Sequence, residues 1–125
     1  MKNVAIIVRI LIGLMFVMAF TMITFNLAPQ PKLTGNAQLF MTGMMAAKYF
    51  MPLLMWTEFV CGLAFLIGRF VPLATVVIFP VTLNILLYHI FVDPAGLGVA
   101  VPLILGNLFL AYYYRKHYVS LVAAK

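Results

Sequence analysis

The stretch Val71-Pro-Leu-Ala-Thr-Val-Val-Ile-Phe-Pro80-Val-Thr-Leu-Asn84-Ile-Leu-Leu-Tyr-His89-Ile-Phe91 contains no Asp, Glu, Lys or Arg. It has the ~20 apolar residues that a helix needs to cross ~30 Å of hydrocarbon. Three more stretches are of the same kind: Val4 to about Leu27, about Tyr49 to Ile67, and Val99 to Tyr114. All are apolar on every side, with no alternating polar face to line a barrel, so they read as helices and not strands.

Composition points the same way. With 66% hydrophobic and 8% charged residues and a mean hydropathy of +1.17, the chain cannot cover itself with a polar surface. Eight Lys and Arg against two acids give a net charge of +6. The cations sit at the ends of the apolar runs, a pattern of membrane anchoring and not of a nucleic-acid patch. The fold expected is all-α: an integral membrane bundle of four transmembrane helices, about 4–27, 49–67, 71–91 and 99–114, in a single domain over 1–125. The first stretch opens with Lys2 like a secretory signal, but its length, the presence of Arg9 and the lack of a small-x-small cleavage pattern favour a retained anchor.

The connections set the topology. Gly68-Arg69-Phe70 and Asp93-Pro94-Ala95-Gly96 are short enough to force antiparallel neighbours. Between the first two helices Pro29, Pro31 and Gly35 break the chain, and Asn36 to Ala47 is a candidate short interfacial helix, with a reentrant or packed loop as the alternative. Proline stands near helix starts at Pro52, Pro72 and Pro102, whereas Pro80 inside the third helix is expected to kink it. Lys2, Arg69, Arg115, Lys116 and Lys125 share one side of an even-numbered bundle, with Arg9 nearby. Lys32 and Lys48 occupy the other, so both termini are expected in the cytoplasm.

Polar residues carry the remaining information, because a charge at membrane depth costs ~2.5 kcal/mol or more on insertion scales. Glu58 lies about six residues, ~9 Å, inside the second helix from its outer end, and Asn84 on the third helix reaches about the same depth. Tyr88, His89, Asp93 and Asn26 lie nearer the outer surface. Together these six residues form a candidate polar pocket in the outer half of the bundle. Asn84 and Tyr88 share a helix face, but His89 lies ~140° round from Asn84. Glu58, Cys61 and Gly62 share a face of the second helix, which suits close packing beside an acid.

Glu58 has two readings: an acid fixing helix packing, hydrogen-bonded to Asn84, His89 or a carbonyl, or a group serving a ligand, a quinone or a proton. His89 reads first as a hydrogen-bonded interfacial residue. Haem is disfavoured, since His117 lies ~30 Å away on the opposite side. The single cysteine, Cys61, rules out an intrachain disulfide, and no metal-ligand spacing is present. Arg9 is expected to snorkel to headgroups, and Asn107 to hydrogen-bond between helices.

The run Glu58-Phe-Val-Cys-Gly62-Leu-Ala-Phe-Leu-Ile-Gly68-Arg69-Phe70-Val-Pro72-Leu-Ala, with Pro80-Val-Thr-Leu-Asn84-Ile-Leu-Leu-Tyr-His89, Asp93-Pro94-Ala95-Gly96-Leu97 and Arg9 to Phe16, resembles the DoxX family. The resemblance implies a four-helix protein of the bacterial or archaeal inner membrane, in a family named after a subunit linked to thiosulfate:quinone oxidoreduction and terminal oxidase complexes. Many such proteins end the first helix in a Gly-x-Asn-Lys-like stretch. This chain has Phe20-Thr21-Met22 there, so no lysine at that position faces Glu58. The expected function is a redox-associated, quinone-linked membrane subunit, with the lipid bilayer and a membrane oxidoreductase complex as partners. The alternatives are a structural assembly partner without catalysis and a small-molecule or proton carrier.

Overall fold

A computed structural model of the chain describes residues 1–27 and 32–123. Pro29 and Pro31, expected to break the chain, and Lys125, counted with the basic residues, lie outside the described residues. Five α-helices follow in order: α1 (Lys2–Thr24), α2 (Gly35–Ala46), α3 (Phe50–Ile67), α4 (Val71–Phe91) and α5 (Leu97–Tyr113). Short 3-10 turns at Pro94–Gly96 and Arg115–Tyr118 precede and follow α5. Four segments are long and apolar enough to cross a membrane: α1, α3, α4 and α5 with the turn before it. No strand occurs among the described residues. The loop between α1 and α3 does hold a short helix, α2, whose only buried residue is Ala37.

Helix ends match the expected runs to within a few residues. Gly68 ends α3 in the left-handed region (φ 82°), a conformation that glycine adopts without a Cβ penalty. Pro72 stands in the first turn of α4, where a missing N–H costs no helical bond. Pro80 lies in the middle of α4, yet the helix continues unbroken to Phe91.

α1 packs along α3, and α4 along α5; these two antiparallel pairs then meet, α3 against α4 and α1 against α5. The first pair comes close because both helices carry glycine at the crossing. A Cβ at Gly13 would lie 2.8 Å from the Gly62 carbonyl oxygen, and a Cβ at Gly62 would lie 3.2 Å from that of Gly13. Around this crossing Ile12, Phe16, Cys61, Phe65, Ala74, Ile78, Leu103 and Leu110 form the buried core. The outward faces are apolar too: Leu11, Met18, Val60, Leu73, Leu87, Val99 and Leu105 are all exposed, as the surface of a lipid-solvated bundle must be.

Candidate functional site

Glu58 sits one turn before Cys61 and Gly62 on the face of α3 that buries Cys61, Gly62 and Phe65, and it is itself half-buried. Among the described residues its carboxyl group makes no hydrogen bond and no ion pair, so the expected bond to Asn84, His89 or a carbonyl is not formed. Cys61 is a buried free thiol beside it. On either side of Glu58 in the chain, Phe59 and Trp56 meet Phe20 of α1, which stacks on Phe59 (centroids 4.4 Å) and lies 5.1 Å from Trp56. An aromatic cluster thus occupies the level of α1 where no lysine stands.

The C-terminal end of α4 has its own cluster. The His89 Nδ1 lies 2.9 Å from the Asp93 carbonyl oxygen. A carbonyl only accepts, so this contact requires Nδ1 to carry the proton. Gly96 presses against the imidazole so closely that a side chain there would collide with the ring. Tyr88 packs edge-on against His89 (5.0 Å) and meets the tilted ring of Phe40 of α2 (5.0 Å), which ties the short helix to the bundle. The six expected residues therefore separate. Tyr88, His89 and Asp93 gather at the C-terminal end of α4, Glu58 stands within α3, Asn84 is exposed on α4, and Asn26 is exposed just beyond α1 with φ 54°.

Two polar arrangements lie elsewhere. Asn107 of α5, fully buried, accepts from the Thr82 hydroxyl (2.7 Å) and donates to the Thr75 carbonyl (3.3 Å), joining α5 to α4. The interhelical role expected for Asn107 is thus realised, with Thr75 and Thr82 as partners that depth arguments did not single out. Arg9 differs from expectation. Its Nη1 donates to the Phe65 carbonyl at 2.6 Å, and the guanidinium lies against Gly68. A helix end with unbonded carbonyls in low dielectric attracts a cation more strongly than headgroups do, which explains why Arg9 turns inward.

At the same end the Tyr118 hydroxyl donates to the Pro72 carbonyl at 2.8 Å. Burial pushes the Tyr118 phenol above the ordinary tyrosine range, with the Thr75 hydroxyl working in the opposite direction. Tyr114 is raised by burial, lowered by nearby Arg9 and raised again by Tyr113.

The family model for DoxX matches residues 4–90, from the start of α1 almost to the end of α4. The chain belongs to the DoxX family. No curated protein and no solved structure matches it. Family and fold together make it a multi-pass membrane protein. Within the DoxX match lie Glu58, Asn84, Tyr88, His89 and Asn26, while Asp93 and Asn107 follow it. The four described cavities of this DoxX chain are lined by none of the six candidate residues. They lie in the seams between helix pairs and under the C-terminal turn. Among the described residues no three His, Cys, Asp or Glu side chains gather as metal ligands would.

Proposed function

We propose that this DoxX-family chain is a redox-associated, quinone-linked subunit of a membrane oxidoreductase complex, with Glu58 as its proton-handling group. The observation that carries the proposal is the position of Glu58: an acid within a membrane-spanning helix, on its interior face, with no described partner. Intramembrane acids are costly and usually mark ligand or proton pathways. Reducing a quinone consumes protons as well as electrons, and a carboxyl group at that depth can deliver one where water is scarce. Electrons would come from the partner complex. Tyr88, His89 and Asp93, grouped apart from Glu58 at the end of α4, would be the polar entrance to that route. The proposed domain runs from residue 1 to 125, in a bacterial or archaeal inner membrane with both termini in the cytoplasm.

A second reading, a structural assembly partner, draws support from the position of Glu58 outside the walls of the four described cavities. One variant separates the two. Glu58→Gln keeps the hydrogen-bonding shape but cannot titrate, so under the first reading the complex assembles and loses quinone-linked turnover. Turnover unchanged in Glu58→Gln leaves the assembly role in place and removes the proton role. Proton flux carried by the isolated protein in liposomes would favour a carrier over both. The topology is tested separately, since a reporter attached at residue 35 that reads as cytoplasmic overturns the proposed orientation.

A further inference from the structure

Between α3 and α4 an apolar groove of about 370 Å³ opens toward lipid, walled by Val60, Cys61, Ala64, Phe70, Leu73 and Val77. A second hollow of about 330 Å³ continues it past Trp56 toward the outer end. Arg69, exposed in the turn joining the two helices, immediately precedes Phe70 of the groove wall. From Val60 to Arg69 is nine residues, about 14 Å along the helix, close to half of the ~30 Å hydrocarbon layer.

From this juxtaposition we infer that the groove holds one acyl chain of an anionic phospholipid, with the lipid phosphate on Arg69. Two observations select that occupant. The wall of the inner groove is wholly apolar, as an acyl chain requires. The charge at the mouth decides against a second copy of this chain. The only acids in the sequence are Glu58, within α3, and Asp93, at the far end of α4. Arg69, Arg115, Lys116 and Lys2 all lie at the inner end, where no acidic side chain is available. A second copy would set these cations against their own kind, while a lipid phosphate neutralises Arg69.

The test compares lipid retention by the purified full chain after exposure to vesicles of phosphatidylglycerol or of phosphatidylcholine with matched chains, read by native mass spectrometry. A cation near an anionic headgroup contributes about 1 kcal/mol, so Arg69 should give about a fivefold preference for phosphatidylglycerol. Arg69→Gln should abolish that preference while leaving the unfolding midpoint in lipid-free detergent unchanged. Val60→Trp, at a side chain that is 59% exposed and outside the core, should fill the groove and lower retention of both lipids. A second measurement does not depend on that variant folding. Trp56, the only tryptophan of the chain, lies on the wall of the continuing hollow. Brominated phosphatidylglycerol should quench it more than brominated phosphatidylcholine at equal mole fraction. Three results overturn the inference: equal retention of the two lipids, an equal loss of preference from Arg115→Gln, or recovery of an isoprenoid molecule in place of phospholipid.

Discussion

The guanidinium of Arg9 completes the end of a helix to which it does not belong, donating to the Phe65 carbonyl of α3 at 2.6 Å. The left-handed turn at Gly68 makes the acceptor available. Both the Gly68 and the Arg69 N–H groups bond to the Ala64 carbonyl, so the next carbonyl, that of Phe65, lacks its usual donor from residue 69. An unpaired carbonyl at this depth has no water to turn to, and Arg9 supplies the charge at the negative end of the α3 dipole.

Arg9→Ala is therefore expected to lower the unfolding free energy by about 1.5–3 kcal/mol, the range for a hydrogen bond to a charged group. Arg9→Lys should recover part of this, since a lysine offers charge without the planar fork. Unfolding in detergent, followed by helical circular dichroism, reads the difference. An unchanged midpoint in Arg9→Ala would show that another donor reaches the Phe65 carbonyl.

The crossing of α1 and α3 makes a second prediction, with an internal control. Gly13→Ala sets a methyl 2.8 Å from the Gly62 carbonyl, in backbone that has no rotamer to escape into, so the helices must part. A loss of about 1–3 kcal/mol is expected, as for overpacking in a tight core. Gly43→Ala in α2 meets nothing within 4 Å and should be neutral or stabilising by up to about 1 kcal/mol, because alanine is the better helix former. Equal effects of the two changes would mean that the α1–α3 approach is looser than the glycine pair implies.

Much of this was legible in the sequence, because length and apolarity alone decide which segments can cross a bilayer. The four spans, the glycine stop at Gly68 and the loop helix follow from Pro, Gly and hydropathy patterns. Depth along a helix could also be counted, and it correctly set Tyr88, His89 and Asp93 near one end. Direction round the helix could not, because these helices are apolar on all sides and carry almost no amphipathic signal. Asn84 shares its depth with Glu58 yet faces outward, and Arg9 reads as an ordinary interfacial cation. Only the pairing of α1 with α3 reveals the carbonyl that Arg9 meets. The Thr75 and Thr82 partners of Asn107 were hidden for the same reason, although two threonines seven residues apart on one helix share a face.

Tyr118 gives the docking of the C-terminal turn a dependence on pH. Its hydroxyl donates to the Pro72 carbonyl only while protonated, and burial raises its folded-state pKa above the unfolded value. For a group shifted upward, the stabilisation is fully present below the unfolded pKa, about 10 for tyrosine. It is lost as pH rises through the higher folded value. Phenolate absorbance titration of the wild type minus Tyr118→Phe isolates this group, which should ionise later than an exposed tyrosine. Ionisation at the ordinary value would show that the turn is undocked in solution.

The last prediction concerns the pair Thr82 and Asn107, whose side chains meet at 2.7 Å while both residues are buried. Asn107 also holds the Thr75 carbonyl, so its amide serves α4 at two points about two turns apart. Asn107→Leu removes both contacts, but the Thr82 hydroxyl keeps its second acceptor, the Phe79 carbonyl at 2.9 Å. The cost should therefore fall below that of an unsatisfied buried group in a soluble core, in line with the ~0.6 kcal/mol average and ~1.7 kcal/mol maximum measured between membrane helices. Thr82→Val should cost less still, since Asn107 retains its bond to Thr75. A double-mutant cycle with Asn107→Leu and Thr82→Val separates the direct contact from these side effects. A coupling of about 0.5–1.5 kcal/mol is expected from the same range. A coupling near zero would mean that the two residues are satisfied independently, Thr82 by its own helix and Asn107 by Thr75, and that α5 is held to α4 by packing alone.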